Sequence, residues 1–173
     1  MGSFVILLRA VNVGGTGKLP MSDLKAIGEA AGLRAVRTYI ASGNMVVESD
    51  DVEPNIKAAL EPHLLAYADK PIEVVIRTAE EMTEVLARNP FPHAEPRHTY
   101  VIFLDAPPPP DVFDRITGRS DEAFALGKRE IYVNYPSGMG RSKLSISAAK
   151  SGTARNMNTV AALAAMAGSS APR

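Results

Sequence analysis

The stretch FVILLRAV, residues 4–11, and its counterpart YVIFLD, residues 100–105, decide the fold of this chain. Each is a short run of β-branched and aliphatic residues, which is typical of a buried strand. A glycine-rich segment follows the first run and a proline-rich segment follows the second, and similar patterns of helices and strands come after each. The sequence therefore predicts two halves built on one pattern, although the halves do not share residue identity.

The first half contains signals for three further strands and two helices. Leu24, Ile27 and Ala31 lie at helical spacing, and Ser42-Gly43-Asn44 separates two strand patterns, which predicts a β-hairpin. A second helical pattern over residues 52–68 contains Pro62, which we expect to disturb the middle of that helix. The strand PIEVVIRT, residues 71–78, then completes the order βαββαβ of the ferredoxin-like split unit.

The second half repeats the order βαββα. It has a strand pattern at residues 98–106, a helical turn or two near residues 111–119, and a strand–turn–strand pattern over residues 122–136 with Gly127-Lys128 in the turn. A helix is predicted over GRSKLSISAAK, residues 140–150. The final strand is missing from the prediction, because Gly152 suits a helix end and Thr153 a helix start. We therefore predict an α+β fold of two ferredoxin-like halves, residues 1–78 and 79–168, packed as one unit, with a C-terminal helix and a disordered tail at 169–173.

Composition bounds the class of protein. The 173 residues are 46% apolar and 22% charged, which is normal for a soluble globular protein. The absence of cysteine excludes disulfides, zinc–thiolate sites and thiol nucleophiles. No secretory signal or membrane-spanning run is present, so we expect a cytoplasmic location and no membrane partner. The three histidines do not converge in the sequence pattern, so no metal ligands are predicted.

The net charge is zero, but the charges are unevenly distributed. Residues 1–127 carry 12 Lys and Arg against 18 Asp and Glu, whereas residues 128–173 carry 7 basic residues and one acid, Glu130. Such asymmetry predicts a surface for anionic partners. Scattered, solvated charges are the alternative explanation. No pair of neighbouring carboxylates stands out as a candidate for acid–base catalysis.

The segment NVGGTGKL, residues 12–19, has the composition of a phosphate-binding loop but not the required pattern. Aligned on Gly17-Lys18, a Walker A loop would need glycine at Asn12 and a hydroxyl residue at Leu19. A strand, a glycine loop with a lysine and a helix start can still bind an anion through N–H groups and the helix dipole. A turn that needs glycine only for positive φ angles is the alternative.

Two later segments also carry candidate anion ligands. GTARNMNTV, residues 152–160, is predicted to place Arg155, Asn156 and Asn158 in the first turn of a helix, where an anion or a carboxylate would offset the charge of the arginine. YPSGMGRSKL, residues 135–144, is a glycine-bearing loop with Ser142 and Lys143. Adjacent residues on a helix do not face each other, so we do not predict a Ser–Lys nucleophile there.

Taken together, LLRAVNVGG with KLPM, TYIASGNMVVES, NPFP, and YPSGMGRSKL with TARNMNTV resemble the bacterial domain-of-unknown-function family 1697. The resemblance covers nearly the whole chain and implies two ferredoxin-like α+β halves. It supplies no reaction, substrate or cofactor, so the cofactor is unknown. The chain departs from the family pattern at Ala10, where glycine is common, and at Met157, where tryptophan is frequent, which weakens the case for stacking a ligand ring.

The positions that the resemblance carries over are glycines, cations and neutral hydrogen-bonding residues. Such residues suit holding an anion better than moving protons. We therefore predict a binding module for a phosphate-bearing ligand, either a nucleotide-like molecule or nucleic-acid backbone, with Lys18, Lys143 and Arg155 converging in one cleft. The candidate ligand-binding residues are Arg9, Asn12, Gly14, Gly15, Lys18, Ser42, Asn44, Ser142, Lys143, Arg155, Asn156 and Asn158.

Two other functions stay open at this point. One is an enzyme acting on a phosphorylated or carboxylated metabolite, which a carboxylate or histidine in the same cleft would favour. The other is a structural or partner-binding protein without a small-molecule site, which a large exposed apolar patch would favour. The oligomeric state is either monomer or homodimer.

Overall fold

The computed structural model describes residues 2–9, 18–40 and 42–168. The eight strands found there are β1 (Gly2–Leu8), β2 (Arg34–Thr38), β3 (Asn44–Ser49), β4 (Val74–Thr78), β5 (Thr99–Phe103), β6 (Ala123–Leu126), β7 (Glu130–Asn134) and β8 (Thr153–Asn156). The α-helices are α1 (Met21–Ala30), α2 (Glu53–Ala68), α3 (Ala79–Ala87) and α4 (Met157–Gly168). Among these described residues, no helix is both long enough and apolar enough to span a bilayer.

The strands form two antiparallel sheets with the same internal order. The first sheet runs β2-β3-β1-β4 and the second β6-β7-β5-β8. This mixed α+β architecture confirms the predicted pair of ferredoxin-like halves. The chain divides into two compact units, residues 1–83 with 163–173, and residues 84–162. These bounds place the division five residues later than the sequence did, and they assign the end of α4 to the first unit.

The core of the first unit lies between its sheet and the helices α1 and α2. Alternate residues of a strand point to the same face, so Phe4, Ile6 and Leu8 of β1 enter this core together. Leu24 of α1 and Leu60 of α2 cover them and are fully buried. The periodicity of the sequence therefore predicted both helices, and the spacing of Leu24 and Ile27 predicted the buried face of α1.

Pro62 does not interrupt α2, which runs from Glu53 to Ala68 with the proline inside it. The disturbance expected in the middle of this helix therefore does not extend to a break. A proline at this position removes one donor from the helix and leaves the carbonyl of Ala58 without its usual partner. Both Ala58 and Pro62 are exposed, so water can solvate that carbonyl.

The second unit replaces long helices with short 3₁₀ turns. The core on one face of its sheet contains Ile102, Ile131 and Val133, and it is covered by Val112 and Ile146. Val112 belongs to a 3₁₀ helix, Val112–Arg115, whereas Ile146 precedes another, Ser147–Ser151. The helix predicted over residues 140–150 is therefore wrong: a 3₁₀ turn ends at Arg141, the next residues are extended, and a second 3₁₀ turn follows.

The end of the second half also differs from the prediction. Residues Thr153–Asn156 form β8, the final strand that the sequence pattern lacked, and α4 begins only at Met157. β8 pairs antiparallel with β5, from Phe103 opposite Thr153 to Tyr100 opposite Asn156. The second half thus has the complete strand set of a ferredoxin-like unit. Backbone pairing with β5 overrides the local preference of this alanine-bearing segment for helix.

A cleft between two loops of the second unit

The second unit contains a cleft of about 250 Å³ between two loops. One loop precedes β6 and the other follows β7, so the β6–β7 hairpin brings them to the same end of the sheet. The lining residues are Gly118, Ser120, Asp121, Glu122, Ser137, Gly138, Arg141, Ser142 and Lys143. Ser142 and Lys143 are two of the ligand-binding residues predicted from the sequence.

Backbone contacts hold the two loops together at the base of the cleft. Thr117 and Ser145 exchange both backbone hydrogen bonds, with N···O distances of 3.1 and 2.8 Å. Gly118, next to Thr117, has a φ angle of +72° and lies directly against the carbonyl oxygen of Lys143. Only glycine fits both the backbone conformation and the short separation at this point. The two loops therefore meet through backbone contacts beside the cleft.

Glu122 lies at the centre of the cleft and joins the two loops through its carboxylate. The Ser142 hydroxyl donates a short hydrogen bond to Oε2 of Glu122, and the Ser120 backbone N–H donates to Oε1 at 2.5 Å. Glu122 is only 3% exposed. The Ser142 hydroxyl, the Ser120 N–H and the nearby Arg119 hold the pKa of the carboxyl below its usual range, against the opposing effect of burial.

This lowered pKa predicts an acid-sensitive contribution of Glu122 to stability. A carboxyl whose pKa is lower in the folded protein stabilises the fold above its unfolded-state pKa of about 4.3, and that contribution disappears as the pH falls through the folded-state value. We expect the urea midpoint of the wild-type protein to exceed that of Glu122→Gln at pH 7, and the gap to close on acidification below pH ~4. A gap that stays constant with pH would contradict this assignment.

A second serine–carboxylate pair lies at the rim. The Ser137 hydroxyl donates to Oδ2 of Asp121 at 2.5 Å, and both residues are exposed. Both carboxylates of the cleft therefore already accept a serine hydroxyl.

The two cations of the cleft are in a different situation. Arg141 and Lys143 are exposed, and neither forms a hydrogen bond or an ion pair with any residue in the described part of the chain. Their side chains are available to an anion that enters the cleft. Arg141 was not among the predicted ligand-binding residues, although it adjoins Ser142 in the same glycine-bearing loop.

In the first unit, the predicted residue Arg9 directly follows β1, and the predicted residues Ser42 and Asn44 lie at the start of β3. The N–H of Leu8 donates to Gly43 and that of Arg9 to Glu73, which brings the hairpin turn and the start of β4 to the end of β1. Arg9 forms an ion pair with Glu73 at 3.1 Å. Lys18 is exposed. The other predicted residues of the glycine-rich segment, Asn12, Gly14 and Gly15, lie outside the described residues.

Ser42 and Asn44 hold the β2–β3 turn in shape. The buried Asn44 side chain donates to the Tyr39 carbonyl at 2.8 Å and to the Ser42 hydroxyl at 2.9 Å. Gly43 between them has a φ angle of +88°. These contacts account for the residue types of the turn by conformation alone.

Arg155, Asn156 and Asn158 do not share a helix turn, which corrects the sequence prediction. Arg155 lies on β8, at the opposite edge of the sheet from β6, and does not line the cleft. Its guanidinium donates to the Thr153 hydroxyl at 2.7 Å and to the Ala154 carbonyl at 2.9 Å, and burial lowers its pKa to about 10. Asn156 ends β8 and accepts the N–H of Thr159, so it caps α4. Asn158 is exposed on the first turn of α4.

The structure therefore brings together only part of the predicted set. Ser142 and Lys143 share the cleft, but Arg155 does not join them, and Lys18 belongs to the first unit. Sequence reasoning missed Asp121 and Glu122, because two acids before a strand look like ordinary solvated charges. Nothing in the sequence places them opposite the loop that follows β7.

Comparisons with known proteins agree with this fold. Residues 1–132 match the family described as "Protein of unknown function (DUF1697)". The solved structure of the conserved bacterial protein SP0830 from Streptococcus pneumoniae superposes with a TM-score of 0.79 at 22% identity, covering 96% of this chain and 98% of that one. No curated protein matches the sequence. Since the family match spans most of the chain, the chain belongs to the DUF1697 family.

Proposed function

We propose that the protein binds a phosphate-bearing small molecule in the cleft of the second unit. This proposal rests on a difference between the cations and the carboxylates of the cleft: the carboxylates accept hydrogen bonds from serines, whereas the cations have no such partner among the described residues. Arg141 and Lys143 are exposed and form no hydrogen bond or ion pair with the described residues, whereas Asp121 and Glu122 each accept a serine hydroxyl. An anion that enters the cleft can pair with two cations without displacing an existing contact.

The size of the cleft favours a small ligand over nucleic acid. About 250 Å³ is slightly below the usual range for small-molecule sites and suits a phosphate group with a small attached moiety. Nucleic-acid binding depends on many simultaneous phosphate contacts. Two cations flanked by two carboxylates do not form such a surface, so a nucleotide-like molecule or sugar phosphate is the better candidate.

The ligand must also tolerate the carboxylates. Asp121 is an exposed carboxylate on the rim of the cleft, so it repels a bare anion and favours a ligand that also presents hydroxyl or amino groups. A sugar phosphate or a phosphorylated amine has both kinds of group. This charge pattern disfavours sulfate and inorganic phosphate as tight ligands, although either can serve as a weak probe.

A thermal-shift screen at low salt tests the proposal. The probes are inorganic phosphate, mononucleotides, sugar phosphates and short oligonucleotides. A ligand at about a hundred times its dissociation constant should add roughly 2.7 kcal/mol to the free energy of unfolding, which raises Tm by several degrees. We expect a shift with one class of small phosphate ester, and we expect Lys143→Ala to abolish it.

Matched variants locate the site. Lys25→Ala removes an exposed lysine from α1 and should leave the shift unchanged. If Lys18→Ala rather than Lys143→Ala abolishes the shift, the ligand binds at the glycine-rich segment of the first unit and the cleft is not the site. If none of the probes raises Tm, the partner-binding alternative is favoured. In this unit, the exposed Leu126 and Met139 offer little apolar surface for such a partner.

A specific observation supports an enzyme as the second candidate. Glu122 places a carboxylate in the same cleft as the two available cations and in hydrogen-bond contact with a hydroxyl, Ser142. Such a pair can orient a hydroxyl and accept its proton during a reaction. The candidate substrate class is the same phosphorylated metabolite.

We also infer that the two halves arose as a pseudo-duplication. The inference is supported by the identical strand order of the two sheets and by equivalent contacts after their first strands: the Leu8 N–H donates to Gly43, and the Leu104 N–H donates to Arg129, each in the neighbouring hairpin turn. A cytoplasmic location stays a prediction from the sequence.

A further inference from the structure

We propose that Ser142 is a nucleophile that accepts a phosphoryl group from a phosphoanhydride bound in the cleft, with Glu122 as the base that orients its hydroxyl and takes its proton. This proposal rests on the proposed function, because it assumes that a phosphate-bearing ligand enters the cleft. It goes further by naming a reaction, a nucleophile and a class of donor: a molecule with a phosphoryl group on an anhydride oxygen.

The geometry carries the assignment. The Ser142 hydroxyl already donates to Oε2 of Glu122, so the proton points at the group that would remove it. The other carboxylate oxygen accepts the Ser120 N–H, and the backbone carbonyl of Glu122 accepts the Nε–H of Arg119 at 3.1 Å, so both the side chain and the backbone of the base have hydrogen-bond partners. A nucleophile in contact with a base that is itself oriented by a third group is the arrangement expected for covalent catalysis.

The Ser142 oxygen is held from a second direction as well. The backbone N–H of Leu144 donates to it at 3.1 Å, so the hydroxyl oxygen has one fixed donor and one fixed acceptor. Its remaining lone pair is left for an incoming electrophile. Ser142 is half-buried and lines the cleft, so a ligand held there can reach it.

The state of Glu122 selects phosphoryl transfer over acyl transfer. Its carboxyl is ionised throughout the neutral range, so it is a weak base, unlike the groups tuned near neutrality that acyl transfer uses. Phosphoryl transfer proceeds through a loose transition state in which the nucleophile loses its proton late, and an ionised carboxylate serves as the base. Lys143 and Arg141 then offset the charge on the phosphoryl oxygens.

The step balances in atoms and charge. The Ser142 oxygen forms a bond to phosphorus while the bond between phosphorus and the anhydride oxygen breaks, and the leaving group departs with that electron pair. The serine proton passes to Oε2 of Glu122 and from there to solvent. With acetyl phosphate as donor, the products are phosphoserine and acetate, and no oxidant or reductant is needed.

Ser137 provides an internal comparison. Its hydroxyl also donates to a carboxylate, that of Asp121, but both residues are exposed. Water competes for an exposed hydroxyl and carboxylate, so that pair is neither fixed nor desolvated. The proposal therefore predicts modification of Ser142 and not of Ser137, although the two serines lie in the same loop.

The experiment incubates the full chain with acetyl phosphate and, in a parallel arm, with ATP and Mg²⁺. Mass spectrometry then measures the peptide of residues 133–144 after chymotryptic cleavage, because trypsin would cut on both sides of Ser142. We expect the mass of one phosphoryl group on Ser142 with at least one donor. The label should be absent in Ser142→Ala and should form about 10²-fold more slowly, or slower still, in Glu122→Gln. Ser147→Ala, an exposed serine outside the cleft, should behave as wild type.

Two controls separate this proposal from the binding proposal. Thermal unfolding shows whether Glu122→Gln is folded, and the phosphate-ester shift shows whether it still binds ligand. If the wild-type protein binds a phosphate ester but Ser142 stays unmodified with both donors, the nucleophile proposal is wrong and the binding proposal stands. If neither binding nor modification occurs, both are wrong. Label on Ser137 or on lysines, or equal rates in wild type and Glu122→Gln, indicates non-specific chemistry and also overturns the proposal.

Discussion

Replacing Gly118 with alanine is expected to destabilise the second unit and to open the cleft. A Cβ atom at this position would lie 1.9 Å from the carbonyl oxygen of Lys143 and 2.6 Å from its carbonyl carbon. Both are backbone atoms, and the Thr117–Ser145 hydrogen bonds hold that backbone in place. The loops must therefore separate. The φ angle of +72° adds about 1 to 2 kcal/mol for any residue with a Cβ.

We expect Gly118→Ala to lower the free energy of unfolding by about 3 kcal/mol or more, since overpacking adds roughly 1 to 3 kcal/mol to the backbone strain. Urea unfolding followed by circular dichroism measures this. Any phosphate-ester binding by the cleft should be lost as well, because Lys143 moves with its backbone.

Gly138→Ala is the matched control for this substitution. Gly138 has a φ angle of +88° and lies in the facing loop of the same cleft, but a Cβ there would meet nothing within 4 Å. Its cost should be the backbone strain alone, about 1 to 3 kcal/mol, because a φ of +88° with a ψ of 145° is a conformation that is nearly restricted to glycine. The difference in the free energy of unfolding between Gly118→Ala and Gly138→Ala then measures the cost of the steric contact with the Lys143 backbone. Equal losses in the two variants would mean that the contact between Gly118 and Lys143 does not hold the loops together.

Gly152→Ala is expected to displace β8. A Cβ atom would lie 2.6 Å from the Phe103 carbonyl oxygen, 2.7 Å from Cδ2 of Leu104 and 3.0 Å from Cγ2 of Ile102. The φ angle at Gly152 is −105°, so the backbone conformation itself accepts alanine. The expected loss of about 2 to 3 kcal/mol in the free energy of unfolding comes from the collision with the central strand β5.

Hydrogen exchange locates the effect of Gly152→Ala. Protection should fall first in β8, whose pairing with β5 begins at Thr153. Gly2→Ala is the control, because it also adds a Cβ to a strand glycine, but the nearest atom is Cε2 of the Phe4 side chain at 3.2 Å. A side chain can shift where a backbone cannot, so this variant should lose less than about 1 kcal/mol. Unchanged protection of β8 in Gly152→Ala would contradict the prediction.

Much of the fold could be predicted from the sequence because its signals are local. The run of aliphatic residues in β1, the helical spacing of α1 and the turn at Gly43 each depend on neighbours within a few positions. These elements came in the order of a ferredoxin-like unit, and the order alone indicated the topology. The family could also be recognised, since its motifs are short ordered segments spread along the chain.

The sequence failed where pairing with a distant strand outweighs local preference. Residues 153–156 look like the beginning of the helix that follows them, and they form a strand only because the edge of β5 offers them backbone partners. Residues 142–146 likewise carry no turn signal strong enough to exclude a helix. Their extended path follows from the backbone pairing of Ser145 with Thr117, which no local pattern contains.

The candidate site likewise has a part that the sequence predicted and a part that depends on contacts between distant residues. The sequence by itself determined that Ser142 and Lys143 adjoin a glycine-bearing loop with basic character, although it wrongly placed both residues in a helix over 140–150. Only the tertiary structure decided that Glu122 faces Ser142, twenty positions away, and that Arg155 lies at the other edge of the sheet. The physical reason is that a strand or a turn is formed by neighbouring residues, whereas a pair of side chains in a cleft depends on how the β6–β7 hairpin sets two loops against each other.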